Sequence, residues 1–190
     1  MENFKDELNN AFAVLKKGGI ILYPTDTVWG IGCDATNADA VDKVYALKKR
    51  SEAKALICLV NDFKMLNQYI EEVPEVAYDI LKYANSPTTI IYDNPIRIAD
   101  NLVGEDDTLG IRVTKDLFCN DLIRKLKKPL VSTSANISGK PAPNSFAEIS
   151  REILKGVDYV VNLRQLNKKT PKPSAIIKLG KDGKVKIIRK

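Results

Sequence analysis

The stretch Ile20-Ile21-Leu22-Tyr23-Pro24-Thr25-Asp26-Thr27-Val28-Trp29-Gly30-Ile31-Gly32-Cys33-Asp34-Ala35 decides the reading of this chain. Its first four residues are apolar, β-branched or aromatic, and predict a buried strand. Pro24 ends that strand, because it has no N–H to give a neighbour. Three small hydrogen-bonding side chains follow at once: Thr25, Asp26 and Thr27. Gly30 and Gly32 allow a tight turn or close approach to a ligand. Polar residues just beyond a strand of an α/β chain stand where ligands usually bind. The same residues also read as a plain Pro-Thr-Asp turn with glycines for packing.

On the N-terminal side, residues 3–17 predict an amphipathic helix with Phe4, Leu8, Phe12 and Leu15 on one face, stopped by Gly18-Gly19. On the C-terminal side, Asn37 caps a second helix that ends in Lys48-Lys49-Arg50. That basic run complements a helix C-terminus, and as such reads as a solvated end. Beyond it, Ala55 to Val60 predicts a strand, Asn61-Asp62 to Tyr69 a helix, and Pro74 the first residue of a helix to about Ala84. Strands follow at Thr88–Tyr92 and Leu109–Val113, separated by a long polar loop over 93–107 with the freedom to move. Arg112 lies inside the second of these, where a charge needs water, an ion partner or a ligand. Asp116–Lys127 reads as a helix and Pro129–Ser132 as a strand. The strand runs into a second small-polar loop, Thr133-Ser134-Ala135-Asn136. Ser145-x-x-Glu148 has the form of a capping box for a helix to Lys155. Val157–Val161 reads as a strand, 164–173 as a flexible crossing loop, and Ser174–Leu179 with Val185–Arg189 as a hairpin around Asp182-Gly183. Alternating strands and helices predict one α/β domain over 1–190 with a mixed, twisted, open sheet.

Composition narrows the chemistry. The 190 residues include no histidine, which excludes Ser-His-Asp and Cys-His nucleophile systems and His-ligated zinc. Cys33, Cys58 and Cys119 are scattered, without C-x-x-C, and read as reduced thiols. The start lacks the basic and apolar regions of a secretory signal, so a cytoplasmic protein is expected. A net charge of +6 favours anionic partners such as nucleotides or RNA. If the loops at Thr25-Asp26-Thr27, Thr133–Asn136 and Ser174 converge with Lys48, Arg50, Lys54, Arg112 and Arg189, the site holds donors and positive charge but no good nucleophile. That suits nucleotide or acyl-phosphate chemistry done by positioning and charge neutralisation. Neither G-x-x-x-x-G-K-[ST] nor G-x-G-x-x-G is present.

Tyr23-Pro24-Thr25-Asp26-Thr27, Gly30 and Gly32, Lys48-Lys49-Arg50, Ser134-Ala135-Asn136 and Pro173-Ser174 together resemble the YrdC (TsaC-like) family of threonylcarbamoyl-AMP synthases, in its short form. The order and spacing agree from about residue 8 to the C-terminus. The resemblance implies a twisted sheet around a basic concave cavity. It also implies a nucleotidyltransferase that joins L-threonine, bicarbonate and ATP into threonylcarbamoyl-AMP and pyrophosphate, for threonylcarbamoyladenosine modification of tRNA. By the same resemblance, Thr25, Arg112, Ser132 and Ser174 would bind L-threonine, and Arg50, Lys54, Thr108, Ser134, Asn136 and Arg189 would face ATP. Lys48, Arg50, Ser134 and Asn136 would form the catalytic set. Mg²⁺ would come with ATP rather than on protein side chains, tRNA binding would be weak, and a separate transferase complex would take the product. The sequence departs from the family pattern at Ser51, at Leu59 and at Asn85-Ser86-Pro87. A non-catalytic RNA- or ribosome-binding module of the same fold is the alternative reading.

Overall fold

Asn3 accepts a hydrogen bond from the Asp6 N–H and starts α1, Phe4–Lys16, whose Ala11 and Leu15 are buried. The computed structural model describes residues 3–50, 56–165, 172–180 and 184–190. The chain then enters β1, Ile21–Tyr23, turns through the Pro24–Trp29 loop, and returns as β2, Gly30–Gly32, antiparallel to β1. Two glycines hid this second strand from the sequence reading, since glycine weakens a strand. Of the two, Gly32 is demanded by packing. A Cβ on Gly32 would lie 2.3 Å from the Val131 carbonyl oxygen and 2.8 Å from the Tyr23 ring.

The remaining elements are α2 (Ala38–Lys48), β3 (Ile57–Val60), α3 (Phe63–Tyr69), α4 (Glu75–Tyr83), β4 (Thr88–Asp93), β5 (Thr108–Val113), α5 (Leu117–Leu126), β6 (Leu130–Ser134), α6 (Arg151–Gly156), β7 (Tyr159–Val160), β8 (Ala175–Leu179) and β9 (Val185–Arg189). Among the described residues, nine strands make one mixed sheet in the order β7-β1-β2-β6-β3-β5-β4-β8-β9. Pairs β1/β7, β3/β5 and β4/β8 are parallel, the others antiparallel. The α/β expectation therefore holds. Among the described residues no helix is long and apolar enough to cross a membrane.

Three local readings are corrected. Pro74 is the N-cap of α4 rather than its first residue, because its ψ of 136° is extended. Ser145 and Glu148 do not open a helix. Glu148 turns to the Asn144 N–H at 2.9 Å, the segment makes only a 3₁₀ turn over Phe146–Glu148, and α6 begins later, capped by Ser150. The 93–107 segment is pinned by backbone bonds from Glu71 N–H to Asn94, Ile96 N–H to Tyr69 and Ala99 N–H to Ala35. Lys54, Ser51, the start of the strand read at Ala55, residues 166–171 of the crossing loop and the Asp182-Gly183 turn lie outside the described residues. Cys33, Cys58 and Cys119 are free and buried.

Candidate active site

The site is built on one face of the sheet. In β5, residues two apart share a face, so Thr108, Gly110 and Arg112 point the same way. Gly110 keeps the middle of this floor low, since a Cβ there would sit 3.1 Å from the Ile57 side chain. Ile57 is paired with Ser132 in β6, and Ser134 with Gly30 in β2. The loop after β1 contributes Thr27 and Val28, and the entry to β8 contributes Pro173 and Ser174. Together with Arg50 and Arg189 these residues enclose a cavity of about 290 Å³. Arg50, Arg112, Ser132, Ser134, Ser174 and Arg189, which the sequence reading singled out, all line it.

Arg112 is 2% exposed. Its Nη1 donates to the Thr27 hydroxyl at 3.1 Å, and its Nη2 faces the Asp26 carboxylate at 3.2 Å. Its Nε is buried without a hydrogen-bond partner. Arg189 Nε donates to the Ser174 carbonyl at 2.9 Å, and the Ser174 hydroxyl lies 2.8 Å from that of Thr89. Burial lowers the guanidinium of Arg189, and the charge of Arg112 lowers it further. Burial likewise lowers Arg50, an effect Tyr45 opposes. The described residues lining this cavity include three arginines and no carboxylate, so its field favours an anion.

Lys48 takes a different place. It is 1% exposed, and its ammonium donates to the Ser134 carbonyl at 2.5 Å and the Asn136 carbonyl at 2.6 Å. Its own carbonyl accepts from the Ser138 N–H at 2.8 Å. The residue at the end of α2 is therefore a buried brace for the loop after β6, not a solvated helix end. Burial, with Arg50 beside it, brings its ammonium down to about 8. Asn136 is outside the cavity lining. Its amide donates to the Ile137 and Lys140 carbonyls at 3.1 and 2.6 Å, and its Oδ1 is buried without a partner. Thr108 lies farther along the same sheet face, about 13 Å from Arg112 by strand rise. Its hydroxyl donates to Asp106 at 2.6 Å.

Thr25 is consumed within its loop. Its hydroxyl donates to the Val28 carbonyl at 2.7 Å and accepts from the Thr27 N–H at 3.0 Å. Thr27 holds the cavity position instead, a residue the sequence reading did not assign. Two threonines two residues apart are indistinguishable until the turn is built.

The family model described as telomere recombination, Sua5/YciO/YrdC, matches residues 13–190. The chain belongs to the Sua5/YciO/YrdC family. Among its relatives is a threonylcarbamoyl-AMP synthase of Idiomarina loihiensis, 36% identical over 77% of this chain and 80% of that protein. A putative threonylcarbamoyl-AMP synthase of Methanocaldococcus jannaschii is 38% identical over 97% of this chain and 87% of its own length. The fold matches that of P. abyssi Sua5 complexed with L-threonine, with a TM-score of 0.80 and 25% identity over 90% of this chain. This chain spans 50% of that Sua5 chain. Escherichia coli YciO has the same fold, with a TM-score of 0.84 over 98% of this chain and 89% of its own, at 24% identity. The YrdC-like resemblance and the mixed-sheet fold are thereby established.

Proposed function

We propose that this Sua5/YciO/YrdC-family chain is a threonylcarbamoyl-AMP synthase, using L-threonine, bicarbonate and ATP and releasing pyrophosphate. The observation that carries this is the convergence of Arg50, Arg112 and Arg189 with the hydroxyls of Thr27, Ser132, Ser134 and Ser174 on one cavity whose described lining has no carboxylate.

ATP and bicarbonate are anions, threonine brings a carboxylate, and the chain has no histidine base. Threonine's amine and bicarbonate form a carbamate with loss of water. A carbamate oxygen then attacks the α-phosphorus; the new O–P bond forms as the bond to the β-phosphate oxygen breaks and pyrophosphate leaves. The carbamate is already an anion, so the enzyme's task is placement and charge neutralisation. Arg112, braced by Thr27 and Asp26, is the group for the threonine carboxylate, with Thr27, Ser132 and Ser174 around it. Arg50, Arg189 and Ser134 face the triphosphate, and Lys48 holds the Ser134–Asn136 loop at its working height. Asn136 and Thr108 border this arrangement, and Lys54 follows Arg50 in the chain. The described lining offers a divalent cation no carboxylate, so Mg²⁺ would be held by the triphosphate and share its charge with the arginines. The product would serve tRNA modification in the cytoplasm, handed to a separate transferase, with weak, salt-sensitive contact to tRNA.

The test is direct detection of the adduct. Incubation with labelled bicarbonate, L-threonine and Mg-ATP is expected to move label into a threonine-linked AMP species on mass spectrometry. AMP or ADP formed without the labelled adduct would remove the synthase reading.

A further inference from the structure

A second cavity, of about 440 Å³, lies outside the arginine-lined site. Its walls are apolar: Phe63, Leu81, Ala84, Pro87, Val113 and Leu117. Leu117 and Phe63 are 67% and 37% exposed, Phe63 with one edge-on ring contact to Tyr78, so apolar surface is left in water here. Three charged residues also line this space: Asp26, Lys115 and Asp116. Asp116 is already engaged, since Arg164 donates to its two oxygens at 2.6 and 3.1 Å. Asp26 gives one oxygen to Arg112 at 3.2 Å, and its second oxygen makes no ion pair among the described residues. Lys115 is exposed and makes no hydrogen bond or ion pair among the described residues.

We propose that this cavity is a second binding site, for a free L-α-amino acid with an apolar side chain. Its carboxylate would meet Lys115, its ammonium the second oxygen of Asp26, and its side chain the apolar walls. A simple carboxylate would leave Asp26 unused, and a simple amine would leave Lys115 unused. The volume is within the range of small-molecule sites, and apolar walls with a few convergent charges are their usual make-up. Burial already raises the Asp26 carboxyl, with Arg112 acting against the rise and Asp116 adding to it, so an added cation is favoured there.

Asp26 lines this second cavity and stands 3.2 Å from Arg112, which lines the first, so the two sites meet at this ion pair. An ammonium on the second oxygen of Asp26 offsets part of the negative charge facing Arg112, leaving the guanidinium more attractive to an anion on the other side while the 3.2 Å contact still anchors it. By linkage, the occupant tightens threonine binding and threonine tightens the occupant. This coupling rests on the synthase reading, whereas binding of the apolar amino acid does not.

The test is calorimetric titration of the whole chain with L-leucine, with L-leucinamide (no carboxylate), and with 4-methylpentanoate (no ammonium). L-Leucine is expected to bind at one site, more tightly than either analogue. Lys115→Gln is expected to weaken it about tenfold, the effect of losing one charge-assisted contact. Ser86→Trp, at the rim, is expected to block it, and melting curves verify that both variants fold. If a variant does not fold, the order of the three ligands on the unaltered chain decides. Saturating L-leucine should tighten L-threonine severalfold. The proposal is overturned if L-leucine does not bind at millimolar concentration, if it binds no better than its analogues, or if it displaces L-threonine and so shares the first site. L-Leucine binding in a chain that makes no threonylcarbamoyl-AMP would uphold this inference and remove the synthase reading alone.

Discussion

Nη2 of Arg112 stands 3.2 Å from Oδ1 of Asp26, joining the middle of the sheet to the loop after β1. A guanidinium carries five N–H donors. Thr27 and Asp26 engage two of its nitrogens, and Nε remains without a partner. Arg112 is thus both anchored and unsaturated, the condition for taking a planar carboxylate.

Arg112→Ala should therefore weaken L-threonine binding by roughly tenfold or more, the cost of one charge-assisted contact. Binding of an ATP analogue should change much less. Arg112→Lys should not restore threonine affinity, because an ammonium lacks the planar fork. Titration with each ligand, beside a melting curve, checks this. Normal threonine affinity in a destabilised Arg112→Ala would make Arg112 a structural ion-pair residue only.

Lys48→Met should destabilise the protein by on the order of 1–3 kcal/mol. Two carbonyls, of Ser134 and Asn136, would lose their buried donor. Turnover should fall in parallel, since Ser134 lines the cavity. A helix-end lysine in solvent would cost up to about 1 kcal/mol and leave turnover normal. Denaturant melts with rate measurements on the same sample separate the two.

Lys48 also sets a pH dependence. Its ammonium is lowered from 10.5 to about 8 by burial and by Arg50. Between those values the unfolded chain holds the proton and the folded chain does not, so this residue adds stability as pH rises through the window. Below pH 8 both states are protonated and its burial is fully opposed. The stability of the unaltered chain relative to Lys48→Met should rise by up to ~3 kcal/mol from pH 8 to pH 10.5. Denaturant melts of the pair at several pH values measure it, and a flat difference contradicts it.

Gly32→Ala should cost about 3 kcal/mol or more, because the new Cβ would meet a strand carbonyl at 2.3 Å. Gly110→Ala should be milder, since its nearest contact is a side chain, Ile57, at 3.1 Å rather than a backbone oxygen at 2.3 Å. Urea melts of the two variants should fall in that order.

Much of this fold is written in local pattern. Capping by Asn37, Asp62 and Asp116 sits where hydrophobic periodicity begins, and each cap accepts the expected N–H. Arg112 inside an apolar strand announced a needed partner. What stayed hidden depends on three dimensions. Gly30-Ile31-Gly32 offers one strand-forming side chain, Ile31, and is a strand because it pairs with β1 on one side and β6 on the other. Thr27 rather than Thr25 reaches the cavity because the turn spends the Thr25 hydroxyl on Val28. Lys48 looked solvated because its partners are backbone carbonyls some 86 residues away in sequence. The Ser145–Glu148 signature failed because Asn144 captured the glutamate.

Whether the arginine-lined cavity assembles three substrates into one adduct is decided by pyrophosphate release, measured with ATP, Mg²⁺, L-threonine and bicarbonate and again with each omitted in turn. Release is expected only with all four present, and at equal rate with threonine left out it would leave a plain ATPase in place of the synthase.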